Sequence, residues 1–585
     1  MIRFKDVTLS DKAIIQRFTM FGERQNCDLS FANIVCWRFL YNTQFAIVDG
    51  YLVFRFFAGH HLAYMMPLAE PHDHGDGILK VLPEEECNDK VLKAIMEDSV
   101  AMGHPFLMLG VCNYMLDLIE SKFPGLFISE SLRERADYIY TRDKLIHLTG
   151  KKLQSKRNHI NRFKTLYPKY EYKPLTNNLL PDCIELERRW KQKAIAGGYG
   201  GGVKEEYRSI LRAFHNWDSL EIVGGTLWVH GKLIAFSYGC PINHSTFDVC
   251  VEKADTDYEG SYAMINYEFI SHLPENYYYI NREEDLGDEG LRRAKLSYKP
   301  DILLEKNSVR EKLPLSSFKD QQKIKEETKA LWKKVFSEDS ESFIDLYFSR
   351  VYRGEYNVVT QINNHVVAAL QTLPYSMLYD GRKIKTAYIS GVAASHEYRR
   401  QNIGNSLMLQ AHHRLFYKKV IVTTLIPAEE WVADWYSRLG YSKVITCTPP
   451  PANLEKLSYE DFIDSQMRKR CVILHSKENF DVVKDDYRQI PDYYSSKREP
   501  IEAMLRIIDA NAVLQLYAEC NPMAEFPIRV YGDSHIPLNN SYYSVRNGLC
   551  TRSDEPLTNA ENISIQELAR LVFGNMDAEM CLMLN

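Results

Sequence analysis

The chain has 585 residues, 45% apolar and 25% charged, with a net charge of −5; at about 150 residues per domain this predicts roughly four domains with ample core. The acidic balance excludes a global basic field, so any nucleic-acid contact must be local. Twelve cysteines with no CxxC pair speak for reduced thiols against a disulfide scaffold. With no long apolar opening and no run near ~20 apolar residues, we expect no signal peptide, no transmembrane segment and a cytoplasmic location.

In chain order, Phe45–Phe57 reads as a hairpin of two apolar strands around Asp49-Gly50. The pattern returns at Thr226–Tyr238, turning on His230-Gly231, and at Asn357–Leu370, turning on Asn363-Asn364. We expect an α+β chain of three related units of meandering strands with flanking helices. The first unit (residues 1–145) contains the turn Glu70-Pro-His-Asp-His-Gly-Asp-Gly77. As a metal site His72 and His74 would need two further ligands that spacing does not supply, so it reads as a polar surface turn and no metal is expected. Phe106–Val111 reads as a buried strand and Met115–Glu120 as an amphipathic helix.

The second unit (146–305) opens on Gly150–Lys164, a basic helix suited to phosphate, tRNA or anionic lipid, or to plain solvation. Gly197–Gly202 lacks a P-loop lysine and reads as a mobile loop. The charge-rich stretches Val251–Tyr262 and Asn281–Pro300 read equally as ion pairs lining a cleft or as helix caps. Lys156-Arg157-Asn-His-Ile-Asn-Arg-Phe, Glu252-Lys253, Gly260-x-Tyr262, and Asn281-Arg282-Glu-x-Asp285-x-Gly287 with Lys295-x-Ser-Tyr-x-Pro300 resemble the family named for the C-terminal domain of phosphatidylglycerol lysyltransferase. The resemblance implies two tandem acetyltransferase-like folds, as in enzymes that move an amino acid from aminoacyl-tRNA, with Lys156, Arg157, Arg282, Asp285 and Lys295 as substrate-binding candidates.

A polar linker (306–324) is expected to lead to the third unit (325–458), whose first helix is Lys325–Phe336. Ala387–Ala393 reads as a buried strand, His396–Gly404 as a polar turn with two arginines, and Asn405 onward as a helix. Such a turn leaves N–H groups unpaired at a helix start, which with the helix dipole makes a seat for a pyrophosphate. Arg399-Arg400-Gln401-Asn402-Ile403-Gly404 is similar to the coenzyme-A signature of the GNAT-family N-acetyltransferases, with Asn402 where glycine is usual. Asparagine is the non-glycine residue best suited to a left-handed backbone, so the turn is expected to survive. Ala428–Tyr441 looks like that family's second motif. Tyr436 then falls where a phenol protonates the leaving thiolate, unless Trp435 and Tyr436 are simply core aromatics.

The tail (459–585) carries strands at Arg470–Leu474, Met504–Ile508 and Phe526–Val530, and a helix from the capping box Ser564-x-x-Glu567. Met504–Asp509, Ile528–Asn540 and Ile565–Gly574 resemble the sterol-carrier-protein-like domain that follows the acetyltransferase in the enhanced-intracellular-survival family. That resemblance implies Tyr436 as acid, the carboxylate of Asn585 as base, and a homo-oligomer. The reading is a CoA-dependent N-acyltransferase that passes an acetyl or other acyl group from acyl-CoA to a primary amine. Val392 would pair with the pantetheine arm, and Arg399, Arg400, Gln401, Asn402, Ile403, Gly404 and Asn405 would hold the pyrophosphate. The alternatives are an aminoacyltransferase acting through residues 146–304, or a non-catalytic lipid- or protein-binding scaffold.

Overall fold

The computed structural model describes residues 2–75, 77–82, 85–196, 202–312, 318–398, 401–489, 499–553 and 555–584. The chain is α+β and divides into two compact units, Met1–Asp98 with Pro105–Lys312, and Ser99–His104 with Leu313–Asn585. All three expected hairpins form with two-residue turns. Val48 pairs with Tyr51, Val229 with Lys232 and Ile362 with His365. Both turn residues have positive φ in each case: Asp49 and Gly50, His230 and Gly231, Asn363 and Asn364. That is the turn whose twist matches paired strands, and its sequence is why the hairpins are legible.

The first unit holds two sheets. In the first, Gln44–Val48, Tyr51–Ala58 and His61–Tyr64 lead to Leu107–Cys112, Lys306–Glu311 and finally Phe127–Ser131. The strand Lys306–Glu311 lies between two strands nearly 200 residues upstream. It corrects the expected linker, which cannot begin at 306. The segment looks like linker because its composition is polar, yet Lys306, Asn307 and Val309 are buried. Lys306 Nζ reaches Asp28 (2.9 Å), Asp137 (2.8 Å) and Glu284 (2.6 Å), the pairing that a buried ammonium requires.

The second sheet runs from Glu171–Pro174 through Val223–Val229, Lys232–Pro241, Thr246–Ala254 and Tyr279–Asn281 to Asp137–Thr141 and Ile302–Leu304. Asp137–Thr141, assigned by sequence to the first unit, therefore belongs to the second sheet. Phe18, Phe31, Phe54, Phe214 and Phe236 share one apolar core.

The second unit is built on an eight-stranded sheet around the hairpin His365–Tyr379 and Arg382–Ala394. It runs across the expected boundary at 458/459, because Cys471–Leu474, Ile501–Ile507 and Glu579–Met580 all join it. A four-stranded sheet, Leu549–Ser553, Ser541–Arg546, Phe526–Tyr531 and Glu561–Ser564, stands beside it in the tail. The expected capping box closes both ways: Ser564 Oγ accepts from Glu567 N–H, and Glu567 accepts from Ser564 N–H at 2.6 Å.

Candidate active site

The long hairpin carries an irregularity on which the site is built. Ala369 pairs with Ala393, but Gln371 pairs with Ser390, so the strand Arg382–Ala394 has one extra residue there. Gly391 sits in that bulge at φ +61, and a Cβ on it would lie 2.0 Å from Trp332 Cζ3. Trp332 is itself buried and fixed by Nε1 donating to Asp339 at 2.7 Å. Only glycine fits both the backbone and the indole. On the other edge, parallel pairing with Val422–Leu425 ends at Tyr388 with Thr424. The strand runs on to Ala394 without a strand partner on that side among the described residues, which leaves main-chain groups for an extended ligand arm.

Into the same cluster come Ile389, Val392, Ile403, Trp435 and Tyr436. The helix Ile403–Tyr417 starts from Asn402, left-handed at φ 63 as the sequence led us to expect. Its N-cap side chain accepts no hydrogen bond from the helix backbone, and no acidic residue sits in the first turn. The Asn402 amide oxygen instead accepts from Asn405 Nδ2 at 2.6 Å. Asn405 Oδ1 takes the Trp435 Nε1–H at 2.7 Å, tying this turn to the next helix, Glu430–Arg438. Gly404 faces Trp435 Cζ2, 3.3 Å from where a Cβ would be. Gln401 reaches back to the Glu397 carbonyl at 3.4 Å. Uncapped N–H groups at the start of a 15-residue helix favour an anion. Arg399, Arg400 and Asn585 lie outside the described residues.

Tyr436 is 6% exposed, and its ring meets Trp435 at 4.8 Å and Tyr441 edge-on at 5.6 Å. Among the described residues nothing hydrogen-bonds its hydroxyl, and burial alone pushes its pKa well up. The neighbouring phenol, Tyr441, is committed: it is 3.0 Å from His412 Nε2, whose Nδ1 is 2.8 Å from His535 Nδ1. Burial lowers both imidazoles, His535 to about 4, so the chain of three is neutral. Cys581–Leu584 are buried in the core that contains Tyr388. The Tyr388 phenol is raised by burial first and then by neighbours that include Tyr436. Sequence reasoning missed Trp332, His412 and His535; no local pattern links positions so far apart.

The first unit gathers some of its candidates and separates others. Lys156 Nζ lies 4.2 Å from the Tyr298 ring centre, and the Arg282 guanidinium lies 4.9 Å from it. Arg282 donates to Glu252 at 3.0 Å, and Asn266 holds the other Glu252 oxygen at 2.9 Å. Burial, then Arg282, lowers the pKa of Lys156. Arg157 points elsewhere, donating to the carbonyls of Leu148 and Gly150, where it closes the preceding helix. Asp285 is saturated by Arg292 (two bonds of 2.8 Å), Arg133 (3.1 Å), Tyr138 (2.7 Å) and Gly287 N–H (2.9 Å). Burial would raise its pKa, but Arg292 and these donors hold it well below the usual carboxylate range. It organises the loop and leaves no lone pair for a substrate. Lys295 is buried, donates to the Glu284 carbonyl, and is lowered chiefly by burial.

Sequence reasoning did not single out three carboxylates nearby in this unit. Glu187 is fully buried with neither oxygen hydrogen-bonded, and burial raises it to about 7. Glu283 is raised by burial to about 8 while Asn33 donates to it at 2.8 Å, and burial raises Asp248 strongly. Of Gly197–Gly202, only Gly202 is described, at the start of the helix Val203–His215.

Residues 19–309 match the family model for the phosphatidylglycerol lysyltransferase C-terminal domain, and residues 321–444 match that of the acetyltransferase (GNAT) domain. The chain is 50% identical to a crystallised conserved protein of unknown function from Bacteroides thetaiotaomicron, over 53% of this chain and all of that one, with a TM-score of 0.49. It is 12% identical to Eis1 from Mycobacterium abscessus, over 43% of this chain and 87% of that one, with a TM-score of 0.32. An uncharacterized protein of Mycoplasmoides gallisepticum is 25% identical over 198 residues, 33% of this chain; the chain spans 61% of that relative. No described helix is long and apolar enough to cross a membrane.

Proposed function

We propose that the chain is a transferase whose second unit is a cytoplasmic CoA-dependent N-acetyltransferase acting on a primary amine, a reading supported by the match of residues 19–309 to the phosphatidylglycerol lysyltransferase C-terminal domain and of residues 321–444 to the acetyltransferase (GNAT) domain. The observation that carries this reading is one cluster holding an open strand edge, an uncapped helix start at Asn402 and a buried phenol with an uncommitted hydroxyl, Tyr436. Acyl-CoA supplies an activated thioester when bound. Val392 and its neighbours on the open edge would orient the pantetheine arm. The Gln401–Asn405 turn, with Arg399 and Arg400, would hold the pyrophosphate. Tyr436, its pKa raised by burial, holds a proton at Oη through neutral pH for a leaving sulfur.

The carboxylate of Asn585 is our candidate base, supported by the burial of Cys581–Leu584 in the core beside Tyr388. We read the three hairpin-led sheets as three GNAT-like units, the tail as sterol-carrier-like, and the assembly as a homo-oligomer. The test is calorimetry with acetyl-CoA: Arg399→Ala with Gly404→Asp should weaken binding strongly, since a clamp is lost and a carboxylate is set against the anion. Unchanged affinity in the folded double variant would refute the assignment. A short C-terminal tag should also suppress turnover without changing that affinity.

A second reading is favoured by Lys156 and Arg282 sharing the Tyr298 ring near Glu252. Two cations against one aromatic ring suit a phosphate- or carboxylate-bearing acyl donor such as aminoacyl-tRNA. Retention of tRNA on filters would support it.

A further inference from the structure

Histidines at alternate positions of an extended segment project to the same side of the backbone. His72 lies in the short ladder of His72–Asp73 with Leu79–Lys80, and His74 follows it, the two rings 4.2 Å apart. Asp73 shapes the turn, its Oδ1 accepting from Gly75 N–H (2.8 Å) and Gly77 N–H (2.9 Å). Glu85 brings its two oxygens to the pair, Oε1 3.2 Å from His72 Nε2 and Oε2 3.5 Å from His74 Nε2. Donor atoms of all three side chains lie within 4.8 Å of one another.

The groups are also held from behind. His72 Nδ1 is 3.2 Å from the Glu70 carbonyl, the contact that places the ring proton on Nδ1 and leaves a lone pair on Nε2. Glu85 Oε2 accepts from Leu82 N–H at 2.8 Å, and its carbonyl accepts from the Tyr51 hydroxyl at 2.7 Å. The next residue, Glu86, pairs with buried Arg24 at 2.6 Å. A lone pair and a carboxylate oxygen facing each other across 3.2 Å repel unless a cation or a proton lies between them.

We propose that His72, His74 and Glu85 form a Zn²⁺ site with two imidazole nitrogens, one carboxylate and a position open to water. Tetrahedral zinc with bonds of about 2.0–2.2 Å sets ligand atoms roughly 3.3–3.6 Å apart; Glu85 Oε1 stands 3.2 Å from His72 Nε2, and one donor atom from each of the three side chains lies within 4.8 Å of the others, so small side-chain rotations close the group on an ion. Three ligands with one position free is the arrangement of a reactive or exchangeable site and not of a closed structural one. The His72 side chain is 56% exposed, which gives the ion a way in. The site is independent of the CoA reading.

The test is titration of ZnCl₂ into EDTA-stripped full-length protein by calorimetry, with Cu²⁺ electron paramagnetic resonance as a second readout. One equivalent should bind, Glu85→Gln should weaken it about tenfold or more, and His72→Gln with His74→Gln should remove it. Copper should show splitting from two nitrogens in the wild type and lose it in the double variant. Glu85→Gln keeps an acceptor for Leu82 N–H, so metal-free melting should be unchanged. The proposal is overturned if the wild type takes up no stoichiometric zinc, or if the double variant binds it equally. The first result leaves an imidazolium paired with Glu85, and the second assigns the metal to thiols elsewhere.

Discussion

Replacing Tyr436 by phenylalanine removes one atom, and the structure sets two magnitudes for it. The hydroxyl has no partner among the described residues and sits on a 6%-exposed side chain, so no hydrogen bond is lost. The hydroxyl oxygen keeps some contact with solvent, so its removal strands no buried group and Tyr436→Phe should be about as stable as the wild type. Turnover should fall by roughly 10²-fold or more, the scale of a lost general acid, while acetyl-CoA affinity stays the same. Tyr441→Phe should be destabilising. It strips His412 Nε2 of its 3.0 Å partner inside the core and should cost about 1–3 kcal/mol. The assay pairs urea denaturation with thiol release from acetyl-CoA in the presence of an amine. Full turnover by Tyr436→Phe, or a loss of stability larger than that of Tyr441→Phe, would refute the reasoning.

Gly391→Ala should destabilise the second unit by at least about 2 kcal/mol, from the left-handed backbone and a Cβ 2.0 Å from Trp332; thermal melting checks it. Lys156→Ala should abolish tRNA or anionic-lipid retention with little change in stability. Arg157→Ala should cost about 1 kcal/mol and leave retention intact, since its donors serve Leu148 and Gly150; filter binding and denaturation separate the two. Burial lowers His475 to about 4 from an unfolded value of about 6.5. Its neutral form contributes fully above pH 6.5, and that contribution is lost as pH falls toward 4. The wild type should lose about 2 kcal/mol between pH 7 and 5 that a His475→Gln variant does not, read from denaturation at both pH values.

Local signals explain what the sequence made visible. Asp49-Gly50, His230-Gly231 and Asn363-Asn364 are residues that tolerate φ > 0, so the hairpins announce themselves. Asn402 and the Ser564 capping box are legible for the same reason, since each needs only its own neighbours. What stayed hidden depends on partners far along the chain. Lys306–Glu311 looks like solvated linker until Asp28, Asp137 and Glu284 close around Lys306. Glu85 completes the His72–His74 group from a separate turn. Lys156 and Arg157 are adjacent in sequence, but about 100° apart around a helix, and only the fold decides which meets Tyr298.

The place of Lys306–Glu311 in the first sheet also sets a timetable for making the protein. Among the described residues, Phe127–Ser131 attaches to that sheet solely through this strand. On a ribosome adding about 5–20 residues each second, the interval between the two segments lasts roughly 10–35 s. Throughout it the edge of Leu107–Cys112 is exposed to any passing strand of another nascent chain. The whole second sheet is synthesised while the first is still ajar, so a stall or truncation before residue 311 should yield aggregates and not a folded fragment.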